Sequence, residues 1–324
     1  MSTTKKLSRS DKYQKQSFFK KIFIFICPLL GIAFLIYIIS SLFSSKSGNF
    51  ELTDSYDTIQ NANVSHTDTT IYSNDGTSQS IEANTSIIIE AYYEANLENQ
   101  EVMLAQFSMD GQTYYIQTTD IELIQENTIN DYIANQLGYP HDEIEDEIAE
   151  IFEQSNYKTE SGNPIGIVIH DTGVDYSTID SEVNYMVENY TSDGVFVHAF
   201  IDNDTILRIA DEDYEAQGAG ANANPYYIQF ELTHEYTLES FATQLANAAY
   251  YTAFMLKQYH LPVTIGQEDG TGTVWTHEMV STYLGGTDHI DPTDYWTSTA
   301  TKLFGTDYSV EDFSDLVQAY YNAL

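Results

Sequence analysis

The chain has 324 residues, with 12 Lys and Arg against 49 Asp and Glu, giving a formal net charge of −37. Only Lys158, Arg208, Lys257 and Lys302 carry positive charge beyond residue 46, so residues 47–324 hold −44. That leaves no basic stripe to follow a phosphate backbone and excludes a nucleic-acid partner. Hydrophobic residues at 42% and aromatics at 14% are enough to build cores despite the acidity.

The first 21 residues form a basic tail with seven cations: Lys5, Lys6, Arg9, Lys12, Lys15, Lys20 and Lys21. Residues 22–43 are uncharged and long enough, at roughly 30 Å as a helix, to cross a bilayer. The basic tail then stays cytoplasmic and the rest lies outside, a type II arrangement in the cell membrane. A cleaved signal peptide is the alternative, which would make the protein secreted, but the segment ends in a poor small-residue site. The single cysteine, Cys27, falls inside this segment, so the exported part is free of disulfides.

Residues 44–68 are polar and read as a spacer. A β module over residues 69–126 follows, with β-branched and aromatic runs at 70–72, 86–93, 102–107 and 113–118. Turns at Asn74-Asp75-Gly76 and Asp110-Gly111 separate these runs. The spacing suggests a small β-barrel-like unit and resembles bacterial SH3-type wall modules. Wall binding and simple packing are both open as its role. Residues 127–157 switch to helical spacing, with Ile129, Ile133 and Leu137 before Pro140 and Ile144, Ile148, Ile151 and Phe152 after it, predicting a helical connector. Its acidic run from Asp142 to Glu150 lacks the glycine and alternating ligands of a calcium loop and reads as a solvated face.

From residue 158 to the end the pattern is mixed α/β, a mixed β-sheet flanked by helices. Strands are expected at 164–169, 195–201 and 226–232, and a long helix at 238–259 with Phe241, Leu245, Ala248, Ala249 and Phe254 inward. Four of the eight histidines, His170, His198, His277 and His289, sit at strand ends or in a dense polar loop. His66, His141, His234 and His260 read as linker, surface or capping residues. His170 is delivered by an apolar strand into the turn Asp171-Thr172-Gly173. His277 and the loop Thr287-Asp288-His289-Ile290-Asp291-Pro292 add imidazoles and a carboxylate, a donor set that suits zinc with a position left open for chemistry.

Five segments carry a resemblance. Ile167-Val168-Ile169-His170-Asp171-Thr172, Val197-His198-Ala199-Phe200-Ile201-Asp202, Gly218-Ala219-Gly220-Ala221-Asn222-Ala223-Asn224, Ile228-Gln229-Phe230-Glu231-Leu232 and the loop from His277 to Pro292 occur in the order of one family. The domain resembles the zinc-dependent N-acetylmuramoyl-L-alanine amidases, the type 2 amidase fold shared with phage amidases and peptidoglycan recognition proteins, and the Gly-Gly-Thr-Asp-His-x-Asp-Pro run is similar to Gram-positive autolysins.

The resemblance implies a Zn2+ cofactor held by His170, His277 and Asp291, with Glu231 as general base and His289 as donor to the oxyanion. The rival assignment makes His289 the third ligand and Asp291 its support. Val197 stands where the family has an aromatic, and Gln217 near where many members have a His. The implied activity is cleavage of the amide between N-acetylmuramic acid and L-alanine of peptidoglycan. A non-catalytic peptidoglycan receptor and a zinc endopeptidase are the alternatives.

Overall fold

The structure, a computed structural model, describes residues 50–97 and 99–324. The basic tail, the expected transmembrane segment, Cys27 and the start of the expected spacer lie outside the described residues. Among the described residues no helix is long and apolar enough to cross a membrane. The chain divides into two units. The smaller includes Phe50, Glu51, Asn96, Leu97, Asn99 and Gln100, with the Asn99 amide donating to Asn96 Oδ1 at 3.0 Å. Leu52–Ala95 with Glu101–Leu324 forms the larger.

Alternation of period two builds the first sheet. In β4 (Ser86–Leu97), Ile87, Ile89 and Ala91 are buried while Ile88 and Glu90 face out. The other strands are β1 (Phe50–Val64), β2 (Thr69–Ser73), β3 (Ser78–Ile81), β5 (Gln100–Met109), β6 (Gln112–Gln117) and β7 (Ile121–Leu123). They pair in the order β3-β2-β6-β5-β4-β1-β7. The Asp110-Gly111 turn forms as expected, with both residues at positive φ and Met109 paired to Gln112.

Two boundaries need correction. Residues 50–64 of the expected spacer form the long strand β1, because Ala62 and Val64 alternate into the apolar core and polar side chains take the outer positions. The expected small unit over residues 69–126 is therefore part of a seven-stranded antiparallel sheet that begins earlier, with β3 and β7 at its ends.

The expected helical connector is only partly helical. Helix α1 (Thr128–Tyr132) widens into a turn over Ile133–Leu137 and stops at Gly138, at φ 73°. Past Pro140, Ile144–Asp146 is β8, an edge strand, while Ile148 and Ile151 are exposed and Phe152 stacks on Phe196 at 4.6 Å. Their helical spacing arises in a short strand and the irregular turn that follows it. The acidic run accordingly has no helix face: Asp146 pairs with Arg208 and Asp142 bonds Asn247.

The second sheet adds β9 (Ile167–Asp171), β10 (Ala199–Ile201), β11 (Ile206–Arg208), β12 (Ile228–Leu232) and β13 (Val274–Thr276), in the order β13-β9-β12-β10-β11-β8. Strands β13, β9, β12 and β10 run parallel and β11 runs against β10. Helices α2 (Ile179–Asp193), α3 (Leu238–Gln258), the short α4 (His277–Met279), α5 (Thr293–Phe304) and α6 (Val310–Ala323) complete the domain. This is the expected mixed α/β architecture, with shorter strands than the apolar runs suggested.

Helix α3 starts at a capping box in which Thr237 and Ser240 exchange side-chain and backbone bonds, worth about 1 kcal/mol. Its stripe of Phe241, Leu245, Ala248 and Ala249 is fully buried against Ile167, Ile169, Ile228 and Phe230. The other face of the same strands carries Val168, Tyr227 and Trp275. With both faces covered, these central strands read as continuous apolar runs until they reach the polar end that forms the site. The first sheet packs on α6: Ala319 meets its apolar core, and Gln60 Nε2 donates to Asp315 Oδ1 at 2.7 Å.

Candidate active site

Parity along β9 and β12 decides which side chains meet. Glu231 is in register with His170, so both project on the Val168 face at the C-terminal ends of neighbouring parallel strands. Next to them, β13 pairs Thr276 with Ile169, and His277 follows as the first residue of α4, whose N-cap is the Thr276 hydroxyl bonded to the Met279 amide. The chain then returns through the Thr287 to Pro292 loop, where the Glu278 amide donates to the Asp291 carbonyl at 3.1 Å.

His170 and His277 are each 2% exposed, and Asp291 joins them. His170 Nδ1 lies 2.8 Å from His277 Nδ1 and 3.3 Å from Asp291 Oδ2, while His277 Nδ1 is 3.2 Å from Asp291 Oδ1. Three acceptor atoms thus face one point, which neutral imidazoles and a carboxylate do at a cation. A tetrahedral zinc bonded at about 2.0–2.1 Å separates its ligand atoms by about 3.3 Å, so the donor chemistry and the two imidazole–carboxylate distances fit, while the two imidazole nitrogens stand closer together. His277 Nε2 meets Thr287 Oγ1 at 3.0 Å, a partner that fixes the ring with Nδ1 toward the centre. His289 stacks on His277 at 4.6 Å but is mostly exposed, with Nδ1 3.3 Å from Asp291 Oδ1, and it stands outside the three-residue group.

Electrostatics follow from enclosure. Burial pushes the His170 imidazole below its ordinary value, and the Asp291 contacts only partly offset that. For Asp291 burial acts upward, but the hydrogen bonds and charges of His170 and His277 together outweigh it and hold the carboxyl well below the usual range. Glu231 goes the other way. Its Oε2 is buried with no hydrogen-bond partner, and burial, followed by the charges of Asp291, Asp171 and Glu182, pushes its carboxyl well above the ordinary value.

These groups line a cleft of about 880 Å³, in which Lys302 is the only Lys or Arg among the lining residues. The glycine-rich segment explains itself as a close approach. A Cβ on Gly220, at φ 84°, would meet the Gly286 carbonyl at 2.8 Å, and Asn222 Nδ2 donates to the Leu284 carbonyl at 2.8 Å. Both contacts press this loop against the one that carries Thr287.

The profile of the family described as N-acetylmuramoyl-L-alanine amidase matches residues 160–294. The crystal structure of the Staphylococcus aureus hydrolase AmiA in complex with its ligand is similar at 41% identity and a TM-score of 0.56, covering 60% of this chain and 91% of that one. This chain belongs to the N-acetylmuramoyl-L-alanine amidase family. The bifunctional autolysin of Staphylococcus aureus strain NCTC 8325 is 43% identical over 196 residues, 60% of this chain, and the chain spans 15% of that relative's length. The autolysin-type resemblance read from the motifs is thereby shown.

The structure brings His170, His277, Asp291, Glu231 and His289 to one cleft, with His198 elsewhere. His198 is fully buried two residues deeper, with Nδ1 accepting from the Gln229 amide at 2.9 Å and Nε2 donating to the Tyr214 carbonyl at 2.8 Å. Val197 is buried in a separate core cluster, and Gln217 is engaged by Asn224 and Glu215. Sequence reading missed His234, which lines the cleft and bonds Asp171 and Asp175. Its position just past β12 is one that surface histidines share, so the sequence alone does not single it out.

Proposed function

We propose that this amidase-family protein hydrolyses the amide between N-acetylmuramic acid and the L-alanine of the peptidoglycan stem, using a zinc ion. The observation that carries the reading is the convergence of His170, His277 and Asp291 within ligand distance, beside a Glu231 in strand register with His170. Bound by those three residues, zinc supplies Lewis acidity that makes water acidic near neutral pH and polarises a carbonyl.

Glu231 acts as the general base. Its enclosed carboxyl takes the proton of the attacking water and returns it to the leaving L-alanine nitrogen. His289, at the open edge of the cleft, donates to the carbonyl oxygen as that atom gains negative charge. Asp291 serves as the ligand and His289 as the substrate-facing group, since Asp291 is the one drawn against both buried imidazoles.

The reading places the enzyme in the cell membrane, anchored by residues 22–43, with the cleft outside the cell beside its substrate. That placement rests on the sequence of the first 43 residues. The seven-stranded sheet over residues 50–123 is proposed to carry the domain toward the wall, on the resemblance of the strand spacing in residues 69–126 to SH3-type modules.

The test is incubation of the full chain with a synthetic N-acetylmuramoyl-L-alanyl peptide, with zinc and with chelator, reading products by mass spectrometry. Zinc-dependent release of the peptide with a free L-alanine amine is expected. Binding without release identifies a receptor, and cleavage within the stem identifies an endopeptidase.

A further inference from the structure

His234 takes no part in the chemistry proposed above, yet it is held from three sides. Nε2 lies 2.7 Å from Asp171 Oδ1 and Nδ1 lies 3.2 Å from Asp175 Oδ1. A ring can satisfy two carboxylates at once only with a proton on each nitrogen, so the arrangement fits an imidazolium. The ring also stacks on Tyr295 at 4.3 Å with 5° between planes, and the Tyr295 hydroxyl receives the Glu235 amide and donates to Gln244 Oε1.

The two carboxylates are not equivalent. The Asp171 side chain is 7% exposed and that of Asp175 is 75% exposed, so the first pair is shielded from solvent and the second is screened. Asp171 Oδ1 also receives the Gly173 amide at 2.8 Å, closing the turn after β9. The backbone amide of the same residue donates to Asp291 Oδ2 at 3.4 Å. A chain of contacts therefore runs from His234 through Asp171 to Asp291, while Tyr295 ties the ring to α5, which begins two residues after Asp291.

We infer that His234 is a positioning residue: its imidazolium locks the Asp171 turn, and the Asp171 amide in turn steadies Asp291 in its ligand geometry. The kinetic part of this inference rests on the amidase reading, and the metal part does not. The side-chain amide nitrogen of Gln takes the place of Nε2, whereas that of Asn takes the place of Nδ1, so the two substitutions separate the Asp171 arm from the Asp175 arm.

The experiment titrates zinc into the full chain against a chromophoric chelator for the wild type, His234→Gln and His234→Asn, and measures kcat and KM on the muramoyl-L-alanyl peptide. His234→Asn is expected to bind zinc about tenfold more weakly and to lower kcat with KM unchanged, and His234→Gln to stay within about threefold of wild type. Wild-type affinity in both variants, or equal loss in both, overturns the inference. If the wild type binds zinc but does not turn the peptide over, the amidase reading fails and the zinc series still decides the role of His234.

Discussion

His170 and His198 stand beside the same central strand, β12, on the same face of the sheet, and both are sealed from solvent. Burial lowers the pKa of each imidazole, so neither enclosure nor titration tells them apart. Their partners do. Around His198 a donor meets Nδ1 and an acceptor meets Nε2, both from backbone, and the ring is a neutral cross-brace. Around His170, Nδ1 faces another imidazole nitrogen and a carboxylate, while Nε2 is enclosed without a partner. A buried histidine is a ligand candidate when acceptors face acceptors, and a structural one when its hydrogen bonds close.

The sharpest way to break this comparison is to remove each ring. His170→Ala is expected to abolish tight zinc binding and to lower activity by at least about 10³-fold, since it removes one of the three proposed protein ligands. His198→Ala should leave zinc bound by the folded fraction but cost about 2–4 kcal/mol of stability, through an unpaired Gln229 amide and a cavity. Zinc titration and denaturant unfolding on both variants read the two effects.

Glu231, the proposed general base, extends the comparison to a buried carboxyl. Glu231→Gln should keep zinc affinity near wild type and reduce kcat about 10³-fold. The sign of its stability effect follows from its raised carboxyl pKa. The folded metal-free state holds this proton more tightly than the unfolded chain does. Its contribution is fully present below the unfolded value of about 4.3 and is lost as pH rises through the folded one. Melting of the metal-free proteins from about pH 4 to 9 should therefore show the Gln variant gaining on wild type as pH increases. A constant difference would show that folding does not shift this carboxyl's pKa.

Smaller effects are expected from supporting contacts. Thr287→Val removes the partner of His277 Nε2 and should weaken zinc binding about tenfold with little change in melting. Gln60→Ala cuts the bonds to Asp315 and Tyr92 where the first sheet packs on α6, and should cost about 1 kcal/mol without touching zinc affinity.

The candidate site was largely legible because its residues sit in short motifs whose order is distinctive: strand-end His170, strand residue Glu231 and the His277 to Pro292 loop line one cleft. His234 was not legible, since a single histidine past a strand end has the same local signature whether it faces solvent or Asp171. The connector failed for a different reason. Ile144, Ile148 and Ile151 have helical spacing by chance of composition, and only the pairing of β8 with β11 and the turn after it show that no helix forms there. Likewise β1 is mostly polar on its outer face, and its long alternation near Ala62 and Val64 was hidden within a Ser-, Thr- and Asn-rich stretch.

The most direct test is to count zinc and released L-alanine amino termini on the same preparations of wild type, His170→Ala and His198→Ala acting on purified peptidoglycan. The expected result is one zinc per wild-type chain with amide cleavage, neither in His170→Ala, and both in the folded fraction of His198→Ala. Zinc and cleavage surviving the loss of His170, or vanishing from folded His198→Ala, would contradict the assignment of the metal centre.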